Sequence, residues 1–90
     1  MRSDPAKISR LLKTARGQID GILKMVEEDR YCIDISHQLL ATQAILKRAN
    51  RNLLTDHIHH CVKESIESQD EGDIQTKLAE IEKILDELLK

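Results

Sequence analysis

The sequence predicts an all-α fold: three helices per subunit, assembled as an antiparallel helical-bundle dimer. Three observations carry that prediction. Only three glycines and one proline interrupt 90 residues, so chain breakers are too few for many short elements. Apolar residues recur with helical period along three stretches. The single aromatic residue is Tyr31, which leaves the core to Leu, Ile, Val and Ala and suits closely packed helices.

The first helix is expected over residues 5–28. Asp4 is an N-cap acceptor, and Pro5 fits the first helical position, where no backbone donor is needed. Ile8, Leu11, Leu12, Ala15, Ile19, Ile22, Leu23 and Val26 form one stripe. Gly17 and Gly21 each cost about 1 kcal/mol relative to Ala, so close packing against another backbone is expected to compensate. The polar cluster Glu27-Glu28-Asp29-Arg30 ends the helix. From Ile33 to Ile66 the period continues through Leu39, Leu46, Leu53 and Val62 without Gly or Pro, predicting one long helix. So long a helix cannot be covered by the first alone, and its open stripe should pack on a copy of itself. Residues 69–73 make a turn, with Asp73 as the expected cap of a third helix carrying Ile74, Leu78, Ile81, Leu85 and Leu88 on one face. Ninety residues bound the chain to one domain, 1–90, with no repeat or linker.

Both cysteines of the chain belong to one constellation: Cys32, then His57 and Cys61. His57 and Cys61 are four residues apart and share a helix face. In a continuous second helix Cys32 lies about 37 Å from His57, so one chain cannot close a site from all three. Antiparallel pairing of two such helices brings Cys32 of one subunit beside His57 and Cys61 of its partner, twice per dimer. Two thiolates and an imidazole are a soft donor set that favours Cu(I), whereas a closed zinc site wants a fourth ligand. His59 and His60 point away from the shared face. On composition alone, inert buried thiols beside a solvated histidine patch read equally well. Met25 falls on the buried side of the first helix as core.

Net charge is −2, but it is unevenly spread. Residues 1–55 carry ten Lys or Arg against six acids, and residues 56–90 carry four against ten. An oligomer that gathers its basic halves could therefore bind phosphate backbone despite the acidic total. No apolar run approaches the roughly 18 residues that span a bilayer, and the N-terminus lacks a signal-peptide core, so no membrane role and a cytoplasmic location are expected. No nucleophile with a base, paired catalytic carboxylates or Gly-rich phosphate loop can be placed, which argues against an enzyme.

Three segments, Arg16-Gly17-Gln18-Ile19-Asp20-Gly21-Ile22, Asp29-Arg30-Tyr31-Cys32-Ile33-Asp34-Ile35 and Asp56-His57-Ile58-His59-His60-Cys61-Val62, resemble in order and spacing those of the copper-sensitive operon repressors. The resemblance runs from about residue 5 to residue 70. It implies a helical dimer assembling into a homotetramer that binds operator DNA when metal-free and releases it when Cu(I) fills an intersubunit Cys-His-Cys site. The family's ligands fall on Cys32, His57 and Cys61, and its outer-sphere tyrosine on Tyr31. Its outer-sphere glutamate falls near Lys77, a departure for which Glu80, one turn away, is the available substitute. Related nickel and cobalt sensors add N-terminal histidines, and none precedes His37 here. Formaldehyde sensors lack the last cysteine and need Pro where this chain has Arg2; sulfane-sulfur sensors lack the histidine ligand. Phosphate contacts are expected from Arg10, Lys13, Arg16, Lys47, Arg48 and Arg51, with Arg48 foremost. Two other readings stay open: a persulfide or redox sensor using the thiols alone, and a copper buffer with no DNA role.

Overall fold

The computed structural model describes residue 1 and residues 3–88; Arg2, on which the contrast with formaldehyde sensors drew, lies outside the described residues with Leu89 and Lys90. The fold is all-α as expected: α1 spans Pro5–Glu27, α2 Cys32–Ser68 and α3 Glu71–Leu88, with no strand among the described residues. None of these helices is long and apolar enough to cross a membrane. Contacts divide the chain into two compact units, Ser3–Leu53 together with Met1, and the residues from Leu54 onward.

In the first unit, Asp4 caps α1 by accepting the Ala6 N–H at 3.0 Å, and Pro5 opens the helix. The helix ends in a Schellman motif. Arg30 N–H reaches back to the Met25 carbonyl at 3.0 Å and Asp29 N–H to Val26 at 3.1 Å, with Asp29 at φ 53° in the left-handed position usual for glycine. Ile8, Ala15 and Ile22, seven residues apart, are the buried positions of α1. Thr42 and Ala49 are buried on α2 at the same spacing. A seven-residue repeat with alanine on both helices lets two backbones approach side by side. The Thr42 hydroxyl donates to Gln18 Oε1 at 2.8 Å and also faces the Gln38 carbonyl at 3.1 Å, joining the two helices inside this seam.

Nothing lies within 4 Å of a Cβ built on Gly17 or Gly21, and both are exposed. Among the described residues α2 meets the Ile8–Ala15–Ile22 stripe and leaves the glycine side of α1 open to another backbone.

In the second unit, α2 and α3 form a hairpin through a turn in which Gln69 takes φ 56°. Asp70, rather than the expected Asp73, caps α3: its Oδ1 accepts the N–H groups of Gly72 at 3.0 Å and Asp73 at 3.3 Å. Gly72 marked the turn in the sequence, yet helical φ/ψ is open to glycine, and the helix starts three residues earlier than expected. Asp73 is thereby released to accept a hydrogen bond from Ser65 Oγ at 2.7 Å. Asp70→Ala is expected to cost about 1 kcal/mol, the usual loss for a cap, and Asp73→Ala to leave the start of α3 formed. Hydrogen exchange of the Gly72 and Asp73 amides checks both.

Candidate metal centre and phosphate groove

His57 and Cys61 meet as their spacing demands. Cys61 Sγ lies 3.5 Å from His57 Nε2 and 3.7 Å from Nδ1, on a half-buried face of α2. Ligand bonds of about 2.0 Å to nitrogen and 2.3 Å to sulfur, meeting at about 110–120°, place the two donors roughly 3.5–3.7 Å apart. The Sγ–Nε2 separation falls within that range. Cys32 is the first residue of α2, exposed, with Tyr31 before it 69% exposed. Among the described residues, no three His, Cys, Asp or Glu side chains of this chain converge on one point.

The other histidines stay outside the pair. His59 and His60 are exposed and stack edge to face on each other, ring centres 6.0 Å apart. His37 lines a shallow depression with Met25, Arg30, Asp34 and Gln38, so the residue expected as core filler sits at a polar rim. Glu80 pairs with Lys77 at 3.9 Å, a partly exposed contact of small energetic weight.

The basic residues divide. Arg10 of α1 and Arg48 of α2 line one groove of about 240 Å³ together with Lys7, Leu11 and Thr14. Three cations and no carboxylate line it. Lys13, Arg16, Lys47 and Arg51 are exposed but do not line this groove. Lys7 was not among the expected phosphate contacts. Its position one turn before Arg10 was visible in the sequence, but the antiparallel register that brings Arg48 alongside was not. The Ser65–Asp73 hydrogen bond was likewise missed, since sequence alone assigned Asp73 to the cap.

The sequence profile of the family described as metal-sensitive transcriptional repressor matches residues 4–87. The copper-sensing transcriptional repressor CsoR of Bacillus subtilis (strain 168) is 50% identical over 64 residues, 71% of this chain and 63% of that protein. CsoR of Mycobacterium ulcerans (strain Agy99) is 49% identical over 55 residues, 61% of this chain and 47% of that protein. The matched stretch thus spans less than two thirds of either relative. Among solved structures, the copper-sensing repressor CsoR with Cu(I) from Geobacillus thermodenitrificans NG80-2 superposes with a TM-score of 0.82 at 39% identity, covering 94% of this chain and 85% of that one. The nickel-responsive transcriptional regulator InrS superposes at 0.80 with 31% identity, covering 97% and 94%. With a profile match over nearly its whole length, and with a thiol and an imidazole facing each other where the resemblance puts ligands, this chain belongs to the metal-sensitive transcriptional repressors.

Proposed function

We propose that residues 1–90 act as one Cu(I)-responsive repressor domain in the cytoplasm, which binds operator DNA in the metal-free state and lets it go when Cu(I) binds. The observation that carries this reading is the 3.5 Å contact of Cys61 Sγ with His57 Nε2, with the second thiol at the far end of the same helix. Cys32 of one subunit with His57 and Cys61 of the other would hold Cu(I), a soft acid that suits two thiolates and an imidazole. The chain's own residues do the rest. His57 and Cys61 present their donors from one helical turn, so they approach the ion as a preset pair. Cys32, exposed at the start of α2, is available to a partner.

Assembly is supported by apolar surface that the chain leaves open. Leu12, Ile19, Leu23 and Val26 follow one another along α1, each 46–58% exposed. Ile33, Leu39 and Leu40 on α2 are exposed to a similar extent. A stripe of this size calls for cover, and a second copy of the chain, then a second dimer, supplies it.

Lys7, Arg10 and Arg48 hold the DNA. Cations from two helices around one groove can take a backbone phosphate that bridges α1 and α2. Lys13, Arg16, Lys47 and Arg51 extend the basic surface as further contacts. Binding then depends on the α1–α2 spacing, and a metal-dependent shift in helix arrangement lowers operator affinity by linkage, typically 5–150-fold.

Anaerobic titration with Cu(I) while operator binding is followed tests the proposal. Release should be complete at one Cu(I) per subunit. Arg48→Ala should weaken operator binding and reduce the salt slope by about 1 for each phosphate that Arg48 neutralises, with Cu(I) affinity unchanged. An Arg48→Ala protein with wild-type salt dependence removes Arg48 from the DNA surface.

A further inference from the structure

We infer that Ser65 and Asp73 are the positioning residues that tie α3 to the His57–Cys61 face of α2, so that α3 is the element whose placement follows what occupies that face. The inference rests on the metal-responsive reading above and assigns the route by which occupancy leaves the site.

His57, Cys61 and Ser65 follow one another at four-residue spacing and share one side of α2. A helix is stiff over one turn, so a displacement of the Cys61 side of α2 carries Ser65 with it, about 6 Å further along the axis. Ser65 is 2% exposed. Around it, Val62 and Ile66 of α2 and Ile74 and Leu78 of α3 line an apolar seam of about 150 Å³. A hydroxyl in such a seam has no water to turn to, and it donates to the Asp73 carboxylate at 2.7 Å. A hydrogen bond to an ionised acceptor is roughly twice as strong as a neutral one, and breaking it strands a buried donor. The pair thus sets where the first turn of α3 sits against α2. Asp73 is held from its other side as well, its N–H bound to the capping Asp70 carboxylate.

Lys77 lines the same seam, and its ammonium group faces Glu80 at 3.9 Å. Asp73, one turn earlier on α3, provides the carboxylate that α2 reaches.

The test compares wild type with Ser65→Ala, Ser65→Thr and Asp73→Asn. Operator affinity is measured with and without one equivalent of Cu(I), and hydrogen exchange of the α3 amides is followed in both states. In Ser65→Ala, apo operator affinity and Cu(I) affinity should stay within about threefold of wild type. The ratio between the Cu(I)-loaded and apo operator dissociation constants should fall at least tenfold, and Ser65→Thr, which keeps the hydroxyl, should restore it. The α3 amides should change protection on Cu(I) loading in wild type and not in Ser65→Ala. A role confined to stability lowers α3 protection in the apo protein but leaves the ratio unchanged, and that result overturns the inference. If Ser65→Ala does not fold, Asp73→Asn, which keeps the volume at a half-buried position, is judged by the same ratio. Wild-type protein whose operator affinity ignores Cu(I) while α3 still responds through Ser65 overturns the repressor reading alone. Wild-type α3 that is indifferent to Cu(I) overturns the inference.

Discussion

Replacing His57 with alanine is expected to abolish Cu(I)-driven release of operator DNA while apo-protein still binds the operator within about threefold of wild type. The imidazole and the Cys61 thiol face each other at 3.5 Å from a single helical turn, so His57 brings the ion to a fixed point on α2 rather than to a flexible thiol pair. Loss of an outer-sphere partner alone costs 10–100-fold in metal affinity, and loss of a ligand should cost at least about 100-fold. X-ray absorption on the anaerobic wild-type complex should show two sulfurs and one nitrogen, with the nitrogen missing from the variant. Both thiols should keep their reactivity. Full release by stoichiometric Cu(I) from the His57→Ala protein removes His57 as the coupling ligand. Wild-type protein that answers polysulfide and ignores Cu(I) makes this chain a thiol sensor instead.

The second large effect tests where the third ligand comes from. Cys32→Ala and Cys61→Ala homodimers should each lose tight Cu(I) binding, yet a mixed dimer of the two should bind one Cu(I), half the wild-type amount. The arithmetic follows from the two-fold axis: one site of the mixed dimer collects both lesions, and the other collects Cys32 from one subunit with His57 and Cys61 from its partner, all intact. Purified heterodimers carrying distinguishable tags, titrated against a chromogenic Cu(I) chelator, give the count directly. No tight binding in the mixed dimer rules out the shared site. It would leave Cys32 to another role at the exposed start of α2.

How far the sequence reaches is clearest at the helix ends. Asp4-Pro5 announced the start of α1 through groups that act within one turn, and the structure places the cap there. The end of α2 and the start of α3 depended on a competition between two aspartates, and Asp70 caps while Asp73 turns toward Ser65. That choice is settled by a buried hydroxyl eight residues away, which no local pattern reveals.

What the sequence by itself determined is whatever depends on period and spacing: three helices, an apolar stripe along α1 that includes Ile8, Ala15 and Ile22, and the four-residue step that sets His57 against Cys61. These follow from the geometry of a single helix, which every residue on it obeys. Only the tertiary structure decided which charges gather and which polar groups pair. Arg48 meets Arg10 and Lys7, rather than Lys13 or Arg16, because the antiparallel register of α1 on α2 is a property of two helices together. Ser65 finds Asp73 because the turn at Gln69 folds α3 back at one particular angle. Contacts between elements are chosen by how whole surfaces fit, and that selection is made in three dimensions.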